Sequence, residues 1–335
     1  MSALSVWFPR AGATELRREE VPQVGPTEVR VAAIASAISH GSEMLVWRGQ
    51  VPDELALDLP TLRGSFRFPI KYGYASVGRI AEVGAEVDRL NLGDVVFVHH
   101  PHQSEYVVPS SMPIRLPDAL EPTLGVFLAN LETATNIVLD AAPRLGERVA
   151  VFGQGVVGLL ITQLLRRTGV SQIVVVDPIA RRRELACQVG ADVALAPSDV
   201  ADGAMRGLNG GQGFDLTIEA SGNTEALDQA IDHLAFGGTV IVCSWYGTKP
   251  VPLALGGAFH RRRLKLVSSQ VSTIDAALQP RWTHQRRMTV ARDLLPSLEL
   301  ASLISQRFPI ERAGEAYQLV DEHPDQVVQV VLTYP

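Results

Sequence analysis

The chain is poor in cysteine. Of its 335 residues only Cys187 and Cys243 carry a thiol, so a disulfide framework is excluded and a reducing cytoplasm is the expected setting. Long hydrophobic runs are missing too. No apolar stretch reaches the length that crosses a bilayer, and the opening Met1-Ser2-Ala3-Leu4-Ser5 has neither the charged segment nor the apolar core of a secretory signal. Basic charge is the third scarcity: Lys and Arg total 30 against 36 Asp and Glu, and the isoelectric point is about 5.8. No basic run is dense enough to form a stripe that tracks a phosphate backbone. Neither nucleic acid nor membrane is an expected partner, and a small-molecule substrate is. No internal repeat or low-complexity tract interrupts the chain, which is long enough for two domains that each bury a core.

What is present is a glycine motif in a telling place. Val149-Ala150-Val151-Phe152 reads as a buried strand, and the next six residues, Gly153-Gln154-Gly155-Val156-Val157-Gly158, form G-x-G-x-x-G and run into the apolar Leu159–Leu165. The first glycine permits a tight turn, the second lets backbone approach a pyrophosphate, and the third allows helix to pack closely on strand. The helix N-terminus then faces the anion. Glycine turns are common, so the motif gains weight from its sequel. Ile173-Val174-Val175-Val176 is a second strand ending in Asp177, 19 residues beyond Gly158. An acid at that spacing is placed to accept hydrogen bonds from the adenosine ribose and to repel a 2′-phosphate, which favours NAD over NADP. Arg181, Arg182 and Arg183 pull the other way, unless they form the solvated face of the next helix.

The two halves differ in texture. Residues 1–126 show short alternating strands punctuated by Gly and Pro, among them 28–34, 75–84 and 93–98, and read as a β-rich barrel. From residue 127 helices and strands alternate. Strands at Phe214–Glu219, Thr239–Cys243 and Leu264–Val267, with a short one at Val193–Leu195, complete a six-stranded doubly wound sheet. The tail from residue 271, with a helix near 311–320 and a strand at 327–332, is expected to return to the first domain. The expected domains are therefore 1–126 with 271–335, and 127–270.

This order of parts, with Gly93-Asp94, Leu145-Gly146-Glu147-Arg148 before the glycine turn, Glu219-Ala220-Ser221-Gly222, Phe236-Gly237-Gly238-Thr239-Val240 and the closing Val331-Leu332-Thr333-Tyr334, resembles the medium-chain dehydrogenase/reductase superfamily over essentially the whole chain. Ser42-Glu43-Met44-Leu45, the stretch 68–74, His100-Pro101-His102-Gln103 and Phe259-His260-Arg261-Arg262-Arg263 look like its bacteriochlorophyllide hydroxyethyl dehydrogenase branch. The resemblance implies an α/β protein with a GroES-like β-barrel catalytic domain, a Rossmann domain that binds NAD, and a homodimer.

The superfamily usually works through zinc, and here its ligands are replaced. The Cys-Gly-Ser/Thr-Asp segment matches His40-Gly41-Ser42-Glu43, which keeps the relay hydroxyl and the supporting acid but not the cysteine. Gly-His-Glu matches Gly73-Tyr74-Ala75, and the third ligand falls near Ala129 or Asn130, with Glu132 close by. The four-cysteine lobe of a structural zinc is absent. His40, His99, His100, His102 and Glu43 are chemically adequate ligands for a rebuilt site, but their spacing does not decide it, and the expectation is a site without metal. Oxidising an alcohol still requires removal of its hydroxyl proton, so Ser42 is expected as relay, His40 as its partner, Glu43 as supporting acid, Tyr74 as hydrogen-bond partner of the substrate oxygen, and His102 as a lining residue. Each also has a structural reading, as turn cap or satisfied core.

For the cofactor, relatives imply further contacts. These are Arg182 at the ribose, Ser221 and Asn223 along the fourth strand's tip, Ser244 and Trp245 after the fifth, and Ser269 after the sixth. The arginine that holds the pyrophosphate in relatives is matched by Gln329. The function expected is NAD-dependent oxidation of a secondary alcohol or polyol-like substrate. An NADPH-dependent reductase of activated double bonds or quinones, and a non-catalytic NAD(H)-binding protein, are the alternatives.

Overall fold

A computed structural model describes residues 2–59 and 61–335; residues 1 and 60, both inside the first domain expected from sequence, lie outside the described residues. The chain divides into two compact units, Met1–Ala129 with Arg292–Pro335, and Asn130–Ala291. In chain order the first unit opens with β1 (Ser2–Trp7), β2 (Glu15–Glu20), β3 (Glu28–Ile38), α1 (Ser42–Trp47), β4 (Ala56–Leu59), β5 (Leu62–Ser65), β6 (Ser76–Val83), β7 (Val95–Val98), β8 (Glu105–Pro109) and β9 (Ile114–Arg115). Then come α2 (Leu128–Ala141), β10 (Arg148–Phe152), α3 (Val156–Arg166), β11 (Gln172–Val176), α4 (Ala180–Gln188), β12 (Val193–Leu195), α5 (Pro197–Ala201) and α6 (Ala204–Gly207). The chain continues through β13 (Phe214–Glu219), α7 (Thr224–Asp232), β14 (Leu234–Val242), β15 (Lys265–Ser268) and α8 (His284–Leu294), and closes with β16 (Ile304–Pro309), α9 (Ala313–Glu322) and β17 (Gln329–Thr333).

In the first unit β3 is the organising strand. It pairs antiparallel with β6, β8 and β17 within a seven-stranded sheet, so its inner residues Val29, Val31, Ala35 and Ile38 are fully buried. β17 reaches it from near the end of the chain, and Gln329 stitches the two together. The Gln329 amide donates to the carbonyls of Ile38 (2.9 Å) and Val330 (2.8 Å), so this side chain is engaged in the sheet. The helix α1 was not legible as such. Its apolar residues Met44, Leu45, Val46 and Trp47 are buried against Tyr317 and Ile38, and four consecutive apolar residues after Ser42 and Glu43 carry no helical period.

The second unit is the expected doubly wound sheet, all parallel, in the order β12-β11-β10-β13-β14-β15. β10 and β11 are continuous apolar runs because both faces are covered, and Val149–Phe152 and Ile173–Val175 are fully buried. Residues 271–291 pack in this unit. The cause is Arg287, 2% exposed, whose guanidinium donates to Glu132 Oε1 (2.8 Å), Asn136 Oδ1 (2.6 Å) and the Val271 carbonyl (2.6 Å). No helix among the described residues is long and apolar enough to cross a membrane.

Candidate active site

In the second unit, strand order reverses between β10 and β13, and ligands of such sheets bind beyond the strand ends at that point. The glycine turn stands there. Gly153 has φ +95°, a left-handed value that favours glycine, and an added Cβ would lie 2.7 Å from Ser221 N. Gly158 carries the start of α3 against the turn, and a Cβ there would lie 2.0 Å from the Gly153 carbonyl oxygen. Gly155 differs: a Cβ on it would meet nothing within 4 Å. It caps α3, no side chain caps that helix, and Val156 and Val157 begin its first turn. Space is thus kept open where backbone amides of a helix N-terminus converge, and an anion fits it.

Asp177 follows β11 and is 2% exposed. Its Oδ2 accepts from Gln154 N (2.7 Å) and its Oδ1 from Ile179 N (2.8 Å). Arg182 lies half-buried in α4, while Arg183 turns back to donate to the Asp177 carbonyl at 2.7 Å. At the tip of β13 a second carboxylate, which sequence reasoning missed, plays a matching part. Glu219 is fully buried. Its Oε1 accepts from Ser221 N, Ser221 Oγ and Gly222 N, and its Oε2 from the Tyr246 hydroxyl at 2.8 Å. Burial, then the charge of Glu219, holds the Tyr246 phenol well above its ordinary range. The signal was available, since Glu219 ends its strand as Asp177 follows its own.

The other expected cofactor residues sit on these tips with their side chains largely engaged within the unit. Asn223 Oδ1 caps α7 by accepting from Glu225 N (2.8 Å) and Ala226 N (3.2 Å). Ser244 Oγ accepts from Gly222 N at 2.8 Å. Ser269 Oγ donates to Asp140 at 2.6 Å and accepts from Asn136 at 3.2 Å. Burial raises the Asp140 carboxyl, partly offset by the Ser269 hydrogen bond. Trp245 presents an indole that is 41% exposed.

In the first unit, Ser42 and Tyr74 are brought together, with their hydroxyl oxygens 2.9 Å apart. Burial raises the Tyr74 phenol; hydrogen bonds from Ser39 and Ser42 lower it in part, and the Glu43 charge raises it again. The group is therefore a neutral phenol at physiological pH. Its backbone carbonyl is met by His99 Nδ1 at 3.2 Å. His40 is half-buried in the loop between β3 and α1.

Glu43 and His102 form a separate, fully buried pair, 2.8 Å from Oε1 to Nε2. The carboxylate also accepts from Ser39 N (2.9 Å) and from the Tyr317 hydroxyl, and His102 Nδ1 meets Ser36 Oγ at 2.6 Å. Ser36 in turn meets the Tyr334 hydroxyl, also at 2.6 Å. Ser36, Tyr317 and Tyr334 were not legible as site residues, because each is remote in sequence from the others. His102 has no exposed surface, so it stands behind the loop that carries Ser42. His100 is stacked on Tyr106 at 3.6 Å, and burial pushes its imidazole down to about 3, which keeps it neutral. Glu43→Gln tests how far this network holds the loop. An amide cannot accept at both ends, so a buried donor is left without its partner and unfolding stability should fall by about 1–3 kcal/mol. Chemical denaturation is the measurement, and an unchanged midpoint would remove the role.

Zinc does not fit these residues. A carboxylate-supported imidazole is how proteins commonly orient a metal ligand, and Glu43 with His102 has that form. The nitrogen that would face a metal is taken by Ser36, however, the family's histidine position holds a tyrosine, and Glu132 is ion-paired to Arg287 at 2.8 Å. Among the described residues no three His, Cys, Asp or Glu side chains are grouped as a metal site.

Comparison with known proteins accords with this architecture. Residues 156–283 match the family model described as zinc-binding dehydrogenase. The D-guloside 3-dehydrogenase of Escherichia coli (strain K12) is 30% identical over 354 residues, covering 100% of both chains. Two solved structures share the fold: a protein of Sinorhizobium meliloti 1021 bound to NADP (22% identity, TM-score 0.77, 99% of each chain) and an alcohol dehydrogenase from E. coli CFT073 complexed with NADH (20% identity, TM-score 0.80, 99% and 100%). With a full-length relative at that identity, a glycine turn on a doubly wound sheet and a barrel-like first unit, the chain belongs to the zinc-binding dehydrogenases of the medium-chain dehydrogenase/reductase superfamily.

Proposed function

We propose that the protein is an NAD(H)-dependent dehydrogenase that interconverts a secondary hydroxyl of a sugar-like or polyol substrate with its ketone, and that it does so without catalytic zinc. The observation that carries this reading is the Ser42–Tyr74 hydroxyl pair, in the positions where the family keeps its relay hydroxyl and a zinc-binding histidine. Full-length similarity to a D-guloside dehydrogenase supports a sugar-like substrate. The Asp177 carboxylate supports NAD, because its charge repels a 2′-phosphate. A bound nicotinamide accepts or delivers the hydride.

The protein's own part is to bind the substrate oxygen and move its proton. In the ketone-reducing direction the neutral Tyr74 phenol donates a hydrogen bond to the carbonyl oxygen, stabilises the charge that grows there and yields its proton, while Ser42 hydrogen-bonds the phenol oxygen. In the oxidising direction the alcohol proton passes to the Tyr74 oxygen as the phenol's own proton shifts to Ser42, and the half-buried Ser42 hydroxyl releases its proton to water. Glu43, held by His102 and Tyr317, fixes the Ser39 amide and with it the start of the loop that carries Ser42.

Metal analysis of untagged protein, combined with NADH formation on a panel of glycosides and polyols, tests this reading. Substoichiometric zinc and turnover that survives chelation are the expected results. Stoichiometric zinc with chelator-sensitive turnover would refute the zinc-free mechanism, and preferential enone reduction with NADPH would refute the substrate class.

A further inference from the structure

We propose that Asp177 holds the glycine turn in its phosphate-binding shape in addition to meeting the ribose, so that cofactor preference cannot be switched by removing it. The inference rests on the nicotinamide-cofactor reading above. A carboxylate that only received ribose hydroxyls would present both oxygens outward. Asp177 instead is 2% exposed and spends one bond of each oxygen on backbone: Oδ2 on Gln154 N inside the turn, Oδ1 on Ile179 N at the start of α4. Each oxygen keeps a further lone pair, so ribose contact and turn support coexist.

On that side the turn has one other backbone tie, from Gly153 N to the Val176 carbonyl at 2.8 Å, and it stops one residue short of Gln154. Gln154 is fully buried and folds over the turn, its amide nitrogen on the Gly153 carbonyl (3.0 Å) and its amide oxygen accepting from Thr162 (3.0 Å). Its backbone N–H goes to Asp177 alone among the described partners. On the opposite flank, Gly153 rests on the backbone of Ala220 and Ser221, the segment that Glu219 ties down. The turn is thus caught between two strand-tip carboxylates, each spending its charge on backbone amides. Losing Asp177 frees Gln154 N and lets residues 153–155 relax, which removes the anion cradle for NAD and NADP equally.

Asp177→Asn keeps the volume and leaves one oxygen, while its NH2 must face a backbone N–H. Fluorescence titration of NADH and NADPH, steady-state kinetics and thermal unfolding of the full chain are compared with wild type. The loss of a charge-assisted bond should raise the NADH Kd and KM at least about tenfold. NADPH should bind no more tightly than to wild type. Weaker NADH with tighter NADPH would overturn the proposal, since Asp177 would then act on the ribose alone, and unchanged NADH binding would overturn it too. Should Asp177→Asn not fold, Ile179→Pro keeps the carboxylate and deletes one of the two donors that fix it. Weakened NADH binding is expected there, and unchanged binding would count against the proposal. A wild-type protein that binds neither nucleotide removes the cofactor reading instead.

Discussion

Tyr74→Phe is expected to lower kcat by about a hundredfold or more, the range for removing a positioned proton-transfer group, while the NADH dissociation constant stays unchanged. The substitution removes one oxygen. The ring keeps its edge contact with Tyr72, whose centroid lies 6.2 Å away, so packing is preserved. Ser42 then loses its hydroxyl partner, and no phenol proton remains for the substrate oxygen. Ser42→Ala should cost less, because the phenol survives. Turnover by Tyr74→Phe within a few-fold of wild type would sink the zinc-free mechanism, whereas a parallel loss of NADH binding would point to a fold defect.

The second large effect separates two glycines that the motif treats as equals. Gly155→Ala adds a Cβ where the protein places no atom within 4 Å, at an ordinary φ of −68°, so stability should stay within about 0.5 kcal/mol of wild type. Cofactor binding should nevertheless weaken by about 1–3 kcal/mol, roughly 5–150-fold, because on the proposed function that space is the pyrophosphate's. Gly158→Ala inverts the pattern. Its Cβ would stand 2.0 Å from the Gly153 carbonyl oxygen, a backbone atom that cannot rotate away. Unfolding stability should drop by about 3 kcal/mol. Calorimetry beside NADH titration reads both, and a stable Gly158→Ala or a tightly binding Gly155→Ala would contradict the assignment.

These contrasts also show where the sequence was legible. Parallel strands covered on both faces must be apolar throughout, so Val149–Phe152 and Ile173–Val176 announced the sheet, and even the three-residue Val193–Leu195 was placed. Turn glycines and Asp177 are local in sequence and were equally plain. The first unit was harder, because its site is assembled from afar. Ser42 and Tyr74 were named from family positions, but their hydrogen bond spans 32 residues, and Glu43 meets Tyr317 across 274. No periodicity reports such pairings. Nothing local in the sequence marks Arg287, yet it is buried on Glu132, and residues 271–291 fall in the second unit.

The discontinuity of the first unit has a consequence for how the protein is made. Unit Asn130–Ala291 is one continuous stretch and holds all its strand partners as soon as it is synthesised. The first unit is not so placed: β3 waits for β17, Glu43 for Tyr317, and Ser36 for Tyr334. Until those residues leave the ribosome, the loop of Ser42 stands over a carboxylate lacking one of its three donors and an open sheet edge. The glycine turn is therefore finished first, and the supports of the Ser42 loop are the last thing the chain acquires.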